Sequence, residues 1–282
     1  DNTVGRSAIV VTRILWTFSA AYLFEADSAY LKMADYTFDY IKTTLMDPVY
    51  GGLYWTVDAA GKPIQDRKHS YAQAFAIYAF SEYYRASGKA EALQMAQTLF
   101  DLLEKHAYES SGGGYLEGRR RDWGAMTDMR LSEREPDCRK SMNTLLHVLE
   151  AYTNLYRVWP DARLRERLTQ LVQIFMQHVI NPQTHHLRLF FDDMWQSSGT
   201  LVSYGHDIEA GWLLLEAAEA LADEDMVIRV KQATLAVSQA VYNEGLWPDG
   251  SLVYEVDAAT SYVNKERHWW PAAEGMVGFY TA

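Results

Sequence analysis

Apolar residues recur at helical spacing in nine stretches of the chain, and turn residues fall between them. The spacing predicts helices over 6–24, 28–45, 70–86, 89–106, 141–158, 161–178, 205–222, 224–243 and from 269 onward. Asp47-Pro48, Ser87-Gly88, Trp159-Pro160 and Asn181-Pro182 mark breaks. Proline lacks the backbone donor a helix needs, and glycine accepts the left-handed conformation that ends one. Short alternations at 53–57 and 187–191 suit small hairpins in the long connections and are too few for a central sheet. The expected class is therefore all-α. Gly51-Gly52-Leu53-Tyr54, Gly113-Gly114-Tyr115-Leu116 and Glu244-Gly245-Leu246-Trp247 each follow a helix and lead through a polar loop into another. Their period of roughly sixty to seventy residues makes the chain a repeat of helix pairs. No Pro/Gly/Ser-rich linker divides it, so a single domain is expected over 1–282.

Alternate helices differ in character. Those starting near 6, 70, 141, 205 and 269 are rich in alanine and apolar on most sides, whereas the intervening ones carry charged faces, as in RLRERLTQLVQIFMQH. That contrast predicts an inner set of helices covered by an outer set. Polar residues on the inner set then become candidates for chemistry: Arg13, Tyr71, Asn143, His147, His206, Glu209, Trp269 and Trp270. His147 precedes Glu150 by three residues, and His206 precedes Glu209 by three, so each imidazole shares a helix face with a carboxylate. In NTLLHVLEAYTN, residues Asn143, His147, Glu150 and Asn154 form one stripe, which suits the wet side of an amphipathic helix equally well. Arg13 interrupts SAIVVTRILWTFSAAYLF, and a structural ion pair is its plainer account, because an isolated buried charge costs on the order of several kcal/mol. Trp269 and Trp270 stand at a loop-to-helix junction beside Lys265, Arg267 and His268. There they serve either the core or a sugar-stacking platform.

Hydrophobic residues make up 49% of the 282 residues, enough for a sizeable core. The net charge of −11 excludes nucleic acid and anionic membrane as partners, since both demand clustered cations. The basic run at 119–121 lies among acidic neighbours and reads as a solvated loop. A single cysteine, Cys138, rules out an internal disulfide framework and fits a reducing cytoplasm. No apolar run reaches bilayer-spanning length and no charged-then-apolar leader opens the chain, so it reads as soluble, a monomer or weak homo-oligomer. Neither a cysteine cluster nor a His-Glu-x-x-His run supports a metal. A glycoside hydrolase would need two facing carboxylates, whereas the inner-helix polar set is dominated by His, Arg, Asn and Tyr.

The stretches ILWTFSAAY, KHSYAQAFAIYAFSEYY, KSMNTLLHVLEAYTNLYRVW, SYGHDIEAGWLLLEAAEAL and NKERHWWPAAEGMVGFY, in this order, resemble the cellobiose 2-epimerases within the N-acylglucosamine 2-epimerase superfamily. The resemblance runs over essentially the whole chain. It implies an (α/α)6 barrel and cofactor-free, reversible epimerisation at C2 of the reducing-end sugar of β-1,4-linked disaccharides such as cellobiose and lactose. It also implies that Arg13 stabilises an enediol, that Tyr71, Asn143 and His147 line the site, and that His206 transfers a proton with support from Glu209. Trp269, with Trp270 beside it, would stack on the sugar. A barrel of this class has twelve helices, against about nine predicted here, and in the family the twelfth carries a second catalytic histidine. The sequence is accordingly expected to be a fragment that, expressed alone, aggregates and does not epimerise. The residue types suit the chemistry. Once the ring opens, the C2 proton lies next to an aldehyde, and its removal leaves an enediolate that needs donors. Histidine titrates near neutrality and can move the proton. Returning it to the opposite face inverts C2, whereas returning it to C1 yields a ketose, which makes aldose–ketose isomerisation the nearest alternative.

Overall fold

In the computed structural model, which describes residues 5–133, 135–257 and 259–282, the predicted helices all form. They are α1 (Ala8–Glu25), α2 (Ser28–Tyr40), α3 (Ser70–Ser87), α4 (Ala90–His106), α5 (Met142–Val158), α6 (Ala162–Ile174), α7 (Tyr204–Leu221), α8 (Glu224–Glu244) and α9 (Trp269–Thr281). Their ends follow from local chemistry. The Ser7 hydroxyl accepts from Ile9 N–H at the start of α1, and Asp223 accepts from Met226 N–H at the start of α8. Gly88 closes α3 in the left-handed conformation. Two helices end differently from the prediction: α2 and α6 each continue into a five-residue π segment, Ile41–Leu45 and Phe175–Val179. The wider turn is invisible to a 3.6-residue periodicity.

The chain forms two compact units. The first comprises Asp1–Ser111, Tyr115–Cys138 and Glu150–Asp161, and the second Gly112–Gly114, Arg139–Leu149 and Ala162–Ala282. In the first, α1 packs on α2 and α3, and α3 on α4. Its core includes Phe38, Phe80 and Tyr83, with Phe38 edge-on to Phe80. In the second, α7 packs against α6, α8 and α9. Both α3 and α7 are buried on nearly every side, as their alanine-rich sequences require.

The long connections hold short antiparallel strands in small sheets of two or three strands, and no central sheet forms among the described residues. Thr56–Val57 pairs with Arg6–Ser7 and Pro63–Gln65, and Phe190–Phe191 pairs with Lys140–Ser141 and Ser197–Ser198. Four isolated bridges, Met46 to Leu53, Tyr108 to Tyr115, Ile180 to Leu187 and Leu246 to Leu252, give the repeat its register among the described residues. The sequence motif caught the first two. It missed the third, where His185 and His186 replace the glycine pair, and it started the fourth too early.

Three expectations are corrected. The basic run is not merely solvated: Arg121 bonds Asp47 at 2.9 and 3.2 Å and Tyr54 OH at 3.0 Å, and Arg119 Nε donates to the His106 carbonyl at 2.7 Å. Asp47 also accepts from Lys68 Nζ at 3.1 Å, and both of these side chains are fully buried. The stripe on α5 is not a wet face, because His147 and Asn154 are buried, Asn154 Nδ2 donating to Glu82 at 3.1 Å. Finally, α1 is long and apolar enough by length and composition to cross a membrane, although Thr12, Arg13, Thr17 and Ser19 break up its apolar run.

Gly211 sits mid-helix in α7, and a β-carbon there would meet only Ser238 Oγ, at an ordinary 3.5 Å. Glycine in a helix interior costs up to about 1 kcal/mol relative to alanine. Gly211→Ala is therefore expected to raise the urea midpoint by the equivalent of about 0.5–1 kcal/mol; a lower midpoint would show that the glycine is needed for packing.

Candidate active site

The candidate residues fall into two clusters, one in each unit. In the first, α1 presents Arg13 and α3 presents Tyr71. Arg13 Nη2 donates to Tyr71 OH at 3.2 Å, and its guanidinium lies over the Phe75 ring, 4.4 Å from the centroid. Arg13 is exposed, and among the described residues it makes no ion pair, so the structural ion-pair account fails. Tyr71 itself is buried, its N–H bonded to Nδ1 of the α3 N-cap, His69. The result is a guanidinium held by a phenol and a ring face, with donors left for a ligand.

The second cluster is built by α5, α7 and α9. His147 Nε2 lies 3.8 Å from Glu209 Oε1, and both residues are buried. His206, half-buried in the first turn of α7, has its Nδ1 2.8 Å from the Ser203 hydroxyl. Its ring packs on Trp270 with centroids 4.8 Å apart. Packing around the ring, followed by the proximity of His147, pushes the His206 pKa down to about 3, so the imidazole is neutral at physiological pH. Gly205 makes this approach possible: a β-carbon there would come within 2.7 Å of the Trp270 ring and 3.0 Å of Pro271. Asn143, one helical turn before His147, has a buried Oδ1 without a hydrogen-bond partner among the described residues. Trp269 is 81% exposed.

Sequence spacing suggested that Glu209 orients His206. In the structure Glu209 lies against His147 on the neighbouring helix, and Ser203 orients His206 instead. Ser203 is the α7 N-cap residue, and its position three residues before His206 was the available signal. Among the described residues no three His, Cys, Asp or Glu side chains converge as a metal site would require. The second cluster thus offers a neutral imidazole with one nitrogen fixed, beside a second imidazole, a carboxylate and an unpaired buried acceptor, which is suited to moving a proton on a polar ligand.

Residues 1–282 match the model of the family described as N-acylglucosamine 2-epimerase (GlcNAc 2-epimerase). The chain belongs to the N-acylglucosamine 2-epimerase family. It is 44% identical to the cellobiose 2-epimerase of Bacteroides fragilis over 98% of this chain and 70% of that protein. It is 39% identical to the cellobiose 2-epimerase of Ruminococcus albus over 100% of this chain and 71% of that protein. The solved cellobiose 2-epimerase of Bacillus thermoamylovorans B4167 superposes with a TM-score of 0.94 at 40% identity, covering 99% of this chain and 71% of that structure. As an N-acylglucosamine 2-epimerase family member the chain has the (α/α)6-barrel fold class, and its enzyme class is carbohydrate epimerase.

Proposed function

We propose that this family member catalyses reversible C2 epimerisation of the reducing-end sugar of β-1,4-linked disaccharides such as cellobiose, through an enediolate. The observation that carries the chemical part is His206: neutral, anchored through Nδ1 by Ser203, and packed on Trp270. With Nδ1 engaged, Nε2 is left to take the C2 proton. The relatives named as cellobiose 2-epimerases support the substrate class.

The other roles follow from the charge that develops. Removing the C2 proton of the open-chain sugar places negative charge on the neighbouring oxygens, which calls for donors: His147 beside His206 is one, and the family resemblance gives Arg13 the same role. Glu209 steadies His147 across the 3.8 Å gap. Asn143 Oδ1 accepts from a sugar hydroxyl, which satisfies an otherwise unpaired buried oxygen. Tyr71 holds Arg13, and Trp269 and Trp270 provide stacking faces.

Incubating the intact protein with cellobiose in heavy water tests this reading. The expected product is the C2 epimer carrying deuterium at C2. A ketose product would move the enzyme to the aldose–ketose isomerases, and released glucose would make it a hydrolase. Arg13→Lys is expected to leave the circular-dichroism melt within a degree or two while removing most activity, at least about tenfold. Lysine keeps the charge and loses the planar fork of donors. Full turnover alongside a lowered melt would instead make Arg13 a structural residue.

A further inference from the structure

The loops after α2, α4 and α6 share one plan, and the third departs from it beside His206. In the first, Gly51 and Gly52 both have left-handed backbones, φ +69° and +71°. A β-carbon on Gly52 would come within 2.7 Å of the Trp123 indole, whose N–H donates to the Tyr50 carbonyl at 2.9 Å. The second loop repeats this with Gly113 and Gly114. Trp195 comes within 3.0 Å of a β-carbon on Gly114 and donates its N–H to the Gly112 carbonyl at 2.8 Å. Trp123 and Trp195 even share a left-handed backbone, φ 64° and 61°. After α6, the residues in the glycine positions are His185 and His186. His185 keeps the left-handed backbone at φ 62°, but His186, in the position of the second glycine, leaves that conformation and carries a side chain.

That ring is turned toward α7. His186 Nδ1 lies 2.7 Å from Asp207 Oδ2, and Asp207 Oδ1 accepts from Leu187 N–H at 2.9 Å. Four residues past the N-cap of α3, in the place Asp207 takes on α7, stands Gln73. Its amide closes the same junction without charge, accepting from Leu53 N–H at 2.7 Å and donating to the Leu53 carbonyl at 3.0 Å. An amide contact in one repeat is therefore a buried imidazole–carboxylate pair in the other, at the same backbone junction. Asp207 is fully buried, and His186 is 6% exposed. The difference falls on the residue adjoining His206.

We propose that the His186–Asp207 pair positions His206: it pins the first turn of α7 to the Leu187 junction, and His186 neutralises the carboxylate beside the proton-transferring imidazole. The inference rests on His206 being that imidazole. The charged and titratable groups around the device are few. His186 faces Asp207 from α7 and, through Nε2 at 3.2 Å, Glu244 from α8, with the Tyr204 ring 5.5 Å away. His206 faces His147 from α5 and Ser203 and Trp270 on its other sides. Burial disfavours a charged His186, yet the bond to Asp207 and the Asp207 charge outweigh it, and the His186 pKa lies above its ordinary value. Burial raises the Asp207 pKa in turn, against the pull of His186, so the two hold one proton between them across the 2.7 Å bond.

His186→Gln, Asp207→Gln and the double variant His186→Gly/Asp207→Gln test this in the intact protein. The double variant copies the Gly52–Gln73 solution of the first loop. Each single variant is expected to lower kcat at least about tenfold with KM within about twofold, because misplacing a proton-transfer group costs rate more than binding. The double variant is expected to recover most of that loss. Nitrogen-15 NMR titration of the His206 ring gives a readout independent of turnover: with His186→Gln the unneutralised Asp207 raises the pH at which His206 protonates, and with the double variant it returns to the wild-type position. If the single variants lower only the melting temperature, with kcat of the folded protein and the His206 titration unchanged, the pair is structural and the proposal is overturned. If the wild type proves inactive on cellobiose, the proposed substrate fails separately, and the His206 titration still decides the positioning role.

Discussion

His206→Ala is expected to lower turnover of cellobiose in the intact protein at least about a hundredfold, the low end of what a general acid–base group contributes. Substrate binding should weaken far less, because the Trp270 face and the Asn143 acceptor remain. The measurement is the rate of epimer formation at saturating substrate beside a thermal melt. Since His206 protonates only near pH 3, activity should not fall through ordinary histidine titration between pH 7 and 5. A variant that keeps most of its activity with an unchanged melt would reduce His206 to a packing residue.

The largest expected loss of stability belongs to Asp47→Ala. The wild-type carboxylate accepts from Lys68, Arg121 and the backbone N–H groups of Val49 and Tyr50. Lys68 also donates to the Gly52 carbonyl at 3.3 Å and lies over the Tyr54 ring, while burial draws its pKa down to about 8, against the pull of Asp47. Removing the carboxylate leaves a fully buried ammonium without its counter-charge, a change that typically costs about 3–5 kcal/mol. Urea denaturation should show a loss of that size, and Asp47→Ala/Lys68→Met should regain much of it by removing the orphaned charge. A single variant within about 1 kcal/mol of wild type would mean that Lys68 finds water or another partner.

The sequence by itself determined where the helices lie. Their apolar spacing and their caps, such as Ser7, Asp223 and Gly88, are local, so each element carries the information for its own start and stop. It also marked α3 and α7 as covered helices, because alanine-rich faces without charge are buried when partners are at hand. The same reading of α1 and α9 is not met among the described residues: α1 buries only Ala8, Thr12, Leu15 and Ser19, and α9 only Pro271, Gly275 and Gly278. The residue types of the candidate site stood out in the sequence, because a histidine or arginine on an otherwise apolar helix is conspicuous. Only the tertiary structure decided the partners. Arg13 meets Tyr71 across 58 positions of sequence, His147 meets Glu209 across 62, Arg121 meets Asp47 across 74 and His186 meets Asp207 across 21. Spacing within one helix put Glu209 with His206, but the side chain leans instead toward α5, and Ser203 holds the ring. The third loop escaped notice because its glycines had become histidines. Hydrogen bonds and ion pairs act over about 3 Å between chains brought together by burial elsewhere, so a linear pattern names the candidates and the packing of the helices assigns them to one another.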